Sequence, residues 1–170
     1  MRALKPIALA LLALASAALV TGCGTSSAAP ETPVKVRIAF NSRPDANAGA
    51  PLKVRIFMLR DGADFAAADF YSLQNRAAAL LGESLIDQNA LFLTQQAPHA
   101  QVTRTAPVGA RYVGVIAEYQ TLDRKTWRQL LPLPDAAPRP FYRFWRSEAG
   151  GLDARVTAGQ AGLTLEPARD

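Results

Sequence analysis

Cys23 is the only cysteine in this chain of 170 residues, and its setting suggests a specific chemistry. It follows Val20-Thr21-Gly22, and small residues just before a cut fit the groove of a signal peptidase. Upstream, Arg2 and Lys5 give a positive start, and Ile7 to Val20 is an apolar stretch too short to span a bilayer comfortably. Charge, apolar stretch, small residue and cysteine stand in the order of a bacterial lipobox. Residues 1–22 then read as a signal peptide and Cys23 as a lipidation site. Its thiol is diacylated, the chain is cut before it, and the freed amine is acylated. One acyl chain binds a membrane marginally and two bind it stably, each buried methylene adding ~0.8 kcal/mol, so three tether the protein for its lifetime. An ordinary signal peptide with an incidental or buried thiol is the plainer reading. Gly24 follows the cysteine where an Asp would favour inner-membrane retention, so the expected site is the outer membrane, facing the periplasm.

The remaining chemistry-bearing residues are sparse. A lone cysteine excludes an internal disulfide, and a lone histidine excludes the usual Cys/His zinc site. His99 follows Pro98 in what reads as an exposed turn, with no Gly-x-Ser-x-Gly elbow to complete a hydrolytic triad. Asp61, Asp64, Asp69, Glu83, Asp87, Glu118 and Asp123 are scattered, mostly at turns and helix ends, with no local sign of a carboxylate pair. Neither a Gly-rich phosphate loop nor a calcium loop is present. In Phe141 to Arg146, aromatic and guanidinium groups alternate as if to stack on a ligand. The simpler account is a strand whose cation–π packing, ~0.5–1 kcal/mol at exposed sites, ties its edges. The formal charge of +5 falls to +3 once Arg2 and Lys5 are removed, too mild to imply nucleic acid. No catalytic residue, cofactor, metal or small-molecule substrate is expected.

The elements that carry these residues follow from periodicity. Gly24 to Pro33 is small, polar and Pro-containing, so residues 23–33 form a flexible tether and 34–168 the folded domain. Val34, Val36, Ile38 and Phe40 alternate with Lys35 and Arg37 as a half-buried strand. After the turn-rich break Ser42 to Ala50, the set Leu52, Val54, Ile56 and Met58 makes a second strand. Asp64 is placed to cap a helix, and Phe70, Leu73, Ala77 and Leu80 recur at helical spacing until Gly82, as one helix or two meeting near Asn75. Strands are then expected around Leu91 to Thr94, Gln101 to Thr105, Arg111 to Tyr119, Thr126 to Leu133, Phe141 to Arg146, Leu152 to Thr157 and Ala161 to Leu165. Arg111 to Tyr119 is apolar on both faces, as a strand covered on two sides should be. Seven to nine short strands with a helical insertion at about 64–82 predict an all-β protein, a two-sheet sandwich. The mature length suffices to bury roughly two-thirds of the unfolded chain's surface without disulfides.

One family draws these segments together. The lipobox, Ala39-Phe40-Asn41, Asn47 to Asp61, Phe65, Ala68-Asp69-Phe70, Leu73, Leu81-Gly82, Tyr112 to Ala117 and Trp127-Arg128 stand in the order they take in the type VI secretion lipoproteins, TssJ or SciN. The chain resembles that family over most of its mature length. The resemblance implies a transthyretin-like β-sandwich at the outer membrane that binds the periplasmic C-terminal part of TssM, a large inner-membrane protein, and so tethers the trans-envelope complex. It also implies that the loop joining the first two strands touches the partner. Here that loop offers Ser42, Arg43, Pro44, Asp45, Ala46 and Asn47, and it is shorter than in some members. Two other readings stay open: a pilotin or assembly lipoprotein of another secretion system, and a periplasmic cell-wall hydrolase. Neighbouring genes for a contractile sheath and a TssM-like protein would disfavour the first; a Ser beside His99 or two converging carboxylates would favour the second.

Overall fold

In the computed structural model of the chain, residues 33–134 and 150–167 are described. Cys23, the signal segment, most of the tether and the expected strand Phe141 to Arg146 lie outside them. The elements are β1 (Lys35–Ser42), β2 (Leu52–Leu59), α1 (Ala63–Ala67), α2 (Phe70–Leu81) and β3 (Leu85–Leu93). They continue with β4 (His99–Thr105), β5 (Tyr112–Glu118), β6 (Arg128–Pro132), β7 (Gly151–Gly159) and β8 (Gly162–Pro167). Two four-stranded sheets, β4-β1-β7-β8 and β3-β2-β5-β6, lie face to face. All neighbours pair antiparallel except β1 and β7.

The alternation read in the sequence becomes the inter-sheet core. Val36, Ile38 and Phe40 of β1 meet Val54, Ile56 and Met58 of β2, Val113 and Val115 of β5, and Val156 and Ala158 of β7. The outer face of β1 is polar, because that sheet has solvent behind it. The second sheet has helices behind it instead. Phe57, Leu59 and Ile116 on its outer face pack against Phe65, Leu73, Ala77 and Leu81, forming a second apolar layer. β5 is therefore apolar on both faces, as expected of a strand between two layers. Gly114 makes the helix packing possible: a Cβ there would lie 2.7–3.0 Å from three atoms of the Phe65 ring. That ring also tilts against Phe57 at 5.5 Å. Arg128 fixes α1 from β6 by donating to the carbonyls of Phe65 (2.8 Å) and Ala68 (2.9 Å).

Four local expectations need correction. The helical insertion is broken at Ala68, and its second helix is capped by Asp69, which accepts the Ser72 N–H at 2.9 Å. Hydrogen bonds from Ser72 hold the Asp69 carboxyl below its ordinary pKa. Asp64 lies inside the first turn of α1, and Asp61 accepts the Ala63 N–H instead. Near Asn75, where two helices were expected to meet, α2 is kinked at Arg76 but continues. The strand expected around Leu91 to Thr94 runs from Leu85 to Leu93. Its alternation is obscured because Asp87 and Asn89 occupy core-side positions opposite Met58 and Ile56. There Asp87 pairs with Arg104 of β4 and closes the open β3/β4 side, an inward-pointing charge of the kind that protects sheet edges. His99 is not in a turn: it begins β4, opposite Asn41.

Candidate functional site

Strand direction gives the sandwich two unlike ends. Lys35 of β1 lies beside Thr105 and Gly151, and seven residues later Ser42 lies beside Ala158. The chain therefore enters the domain at one end. The connections β1–β2, β3–β4, β5–β6 and β7–β8 gather at the other, about 23 Å away at ~3.3 Å per residue.

The β1–β2 connection organises this loop end. Arg43 N–H donates to Ala158 O (2.9 Å) and Ala46 N–H to Arg43 O (3.0 Å). Asn47, only 4% exposed, reaches across the end: its Oδ1 accepts the Gln120 N–H at 2.7 Å and its Nδ2 donates to Pro51 O at 2.9 Å. Asn47, Ala48 and Gly49 all have positive φ, at 50°, 52° and 80°. Such a conformation is unfavourable for alanine by roughly 1–2 kcal/mol, and strain held by surrounding contacts is typical of functional loops. The other loops are joined too. Thr126 exchanges backbone hydrogen bonds with Ala161 (3.0 Å) and Leu163 (2.6 Å). Lys125 donates to Gln160 O and lies over the Tyr119 ring, 5.2 Å from its centre. Burial pushes the Tyr119 hydroxyl up to about 12, the Gly159 backbone offsetting part of the effect. The end is a stitched platform.

The six residues expected to touch a partner divide on this platform. Ala46 and Asn47 are buried and hold the loop from beneath. Ser42 is half-buried, while Arg43, Pro44 and Asp45 are exposed. Arg43 Nε lies 3.4 Å from Asp45 Oδ1; an exposed pair of this kind contributes ~0–1 kcal/mol, so it orients the two side chains more than it stabilises them. These three residues form a ridge between two grooves. One, about 490 Å³, is bordered by Ser42, Pro44, Gly49, Leu93, Gln95 and His99. The other, about 340 Å³, is bordered by Arg43, Asp45, Gly159, Gln160, Thr164 and Glu166. The contribution of Gln120, Lys125 and Gln160 was not anticipated. The hairpin signal Gly159-Gln160-Ala161-Gly162 and the order Asn47-Ala48-Gly49, suited to left-handed turns, were its only traces in the sequence.

The hydrolytic alternative finds no catalytic pair at these grooves. Although Ser42 and His99 border the same groove, His99 Nδ1 lies 2.8 Å from Asn41 Oδ1 and Ser42 Oγ faces Arg43 O at 3.5 Å. Asn41 and His99 are direct strand partners, so Ser42, one residue on, points to the opposite face. Asp45 and Glu166 share the other groove but are exposed, whereas a general acid near neutral pH needs a carboxyl withdrawn from water. Among the described residues no three His, Cys, Asp or Glu side chains cluster as metal ligands.

Comparison with known proteins agrees with the fold. The family described as type VI secretion lipoprotein (SciN, VasD, EvfM, TssJ) matches residues 34–159. Among solved structures, Serratia marcescens Lip, a membrane-bound component of the type VI secretion system, is 41% identical with a TM-score of 0.70. The alignment covers 81% of this chain and 99% of Lip. The lipoprotein TssJ1 of Pseudomonas aeruginosa is 26% identical with a TM-score of 0.68, over 81% of this chain and 98% of the other. A chain in the structure of the T6SS protein TssM C-terminal domain from EAEC has the same fold at 22% identity and a TM-score of 0.54, covering 79% and 98%. No curated protein matches the chain.

Proposed function

This chain belongs to the type VI secretion lipoprotein family, and from that premise we propose that it is the outer-membrane anchor of the type VI membrane complex, binding the periplasmic C-terminal domain of a TssM-like protein. Acylated Cys23 holds the mature chain in the membrane on its periplasmic face, residues 23–33 tether it, and 34–168 form the binding domain. The observation that carries the reading is the opposition of the two ends. The chain enters the domain beside Lys35, and the joined loops with the Arg43-Pro44-Asp45 ridge lie a strand's length away. A platform held in one conformation before binding loses little entropy when a partner arrives. Confining both proteins to one compartment raises their effective concentration, so a modest interface is sufficient. The protein acts as a static binding module and not as an enzyme. The EAEC structure, named for the TssM C-terminal domain, supports the choice of partner.

The test is co-purification with the periplasmic domain of a TssM-like protein from the same organism. Arg43→Glu and Asp45→Lys should each weaken capture, and Gly/Ser replacement of 43–45, which leaves Asn47 in place, should weaken it further. Undiminished capture by that last variant would remove the ridge from the interface.

A further inference from the structure

We propose that the opposite, tether-side end of the domain is itself a membrane-contact surface, with the turn 106–110 as the point that enters the lipid interface. This rests on the lipid-anchor reading of Cys23 and adds to it an orientation for the domain.

The turn is wholly apolar: Ala106-Pro107-Val108-Gly109-Ala110. Ala110 N–H donates to Pro107 O at 3.1 Å, and Gly109 sits at φ 83°, the left-handed third position of a type II turn. Ala106 and Ala110 pack onto the inter-sheet core, which leaves Val108 at the apex, 91% exposed. Among the described residues, the other large exposed apolar side chains, Tyr71, Leu80, Phe92 and Leu165, belong to α2, β3 and β8 rather than to a loop tip. Ala106 N–H donates to Val34 O at 2.8 Å, so the turn begins beside the point where the tether joins the domain. Cations surround it. Arg60 lays its guanidinium beside Gly109, Arg111 follows the turn with its backbone N–H donating to Leu59 O at 2.8 Å, and Lys35 follows Val34 on β1. All three are exposed. Asp61, which follows Arg60 in the chain, accepts the Ala63 N–H at 2.7 Å.

The occupant follows from position and charge. The ten residues Gly24 to Pro33 reach about 35 Å fully extended and about 17 Å as a coil of their composition, so this end is held near the bilayer whenever Cys23 is in it. A rigid apolar apex ringed by arginine and lysine matches a phospholipid surface: valine enters the acyl boundary while the cations remain at headgroup phosphates. One valine and three cations are too few to anchor a protein. They are enough to favour one orientation of a protein already anchored, and that orientation turns the loop end away from the membrane.

The test places a fluorescent label at Val108→Cys, and separately at Asp123→Cys on the loop end, in the full chain purified from membranes and returned to phosphatidylethanolamine/phosphatidylglycerol vesicles. Acylated Cys23 takes no label. Flotation of the vesicles first establishes anchoring. The expected result is blue-shifted emission at 108, with quenching by lipid-borne spin labels several-fold stronger there than at 123. Equal quenching at both positions in a floating protein would overturn the inference and leave the anchor intact. So would a label at 108 shielded from iodide yet beyond the lipid quenchers, because the contact would then be with protein. A chain that does not float, and whose Cys23 accepts label, would overturn the anchor reading and this inference with it.

Discussion

Asn47 allows the platform to be tested without touching the surface proposed to face a partner. Replacing it with alanine removes the acceptor for Gln120 N–H, removes the donor to Pro51 O, and places a Cβ-bearing residue without a local polar partner at φ 50°. Gln120 is exposed, so water recovers part of the first loss. About 1–2 kcal/mol from the hydrogen bonds and about 1–2 from the backbone give about 2–4 kcal/mol of destabilisation for Asn47→Ala. Asn47→Gly relieves the backbone part and should lose about 1–2 kcal/mol. Asn47→Asp keeps an acceptor for Gln120 and should lose about 1 kcal/mol, with partner affinity unchanged. Urea unfolding of the soluble Cys23→Ser protein, with constant denaturant slope across the series, reads these values directly. Two results would refute the reasoning: glycine no better than alanine, or alanine within about 0.5 kcal/mol of the parent, the usual range for surface substitutions.

Further expectations are as specific. Gly114→Ala should lose about 1–3 kcal/mol by thermal or urea unfolding because its Cβ meets the Phe65 ring, and the loss should shrink in combination with Phe65→Leu. Tyr119 ionises at about 12 when folded against 10 ordinarily, so the stability it contributes is fully present below pH 10 and lost between 10 and 12. The loss should be about 1–2 kcal/mol after allowance for solvent screening, and unfolding curves of Tyr119→Phe should lack that step. Cys23→Ser should leave the protein soluble; its retention in carbonate-washed membranes would contradict the lipid anchor.

The sequence revealed elements best where one physical cause acted alone. β1 has core on one side and water on the other, so its alternation was plain; β5, covered on both sides, showed its continuous apolar run. β3 was harder to read, because Asp87 points inward to meet Arg104, a partner 17 residues away that only the closed sandwich brings near. The split between α1 and α2 was missed because Ala68 carries no breaking signal, and the cap at Asp69 needed the Ser72 amide in place to be recognised. The candidate site was legible as a loop and not as a surface. Ser42 to Ala50 announced a turn, yet Asn47 and Ala46 read like their exposed neighbours because burial of a turn residue depends on what lies beneath it. The opposition of the two ends depends on strand order, and in particular on β1 pairing with β7, which no local pattern records.

The central claim is that the loop end, and not the tether end, grips a TssM-like periplasmic domain. Hydrogen–deuterium exchange of the soluble protein with and without that domain tests it most directly. The account predicts new protection at 43–49, 119–125 and 159–162, with exchange at 106–111 unchanged. Protection confined to 106–111, or no complex with the partner at concentrations well above those in the periplasm, would contradict it.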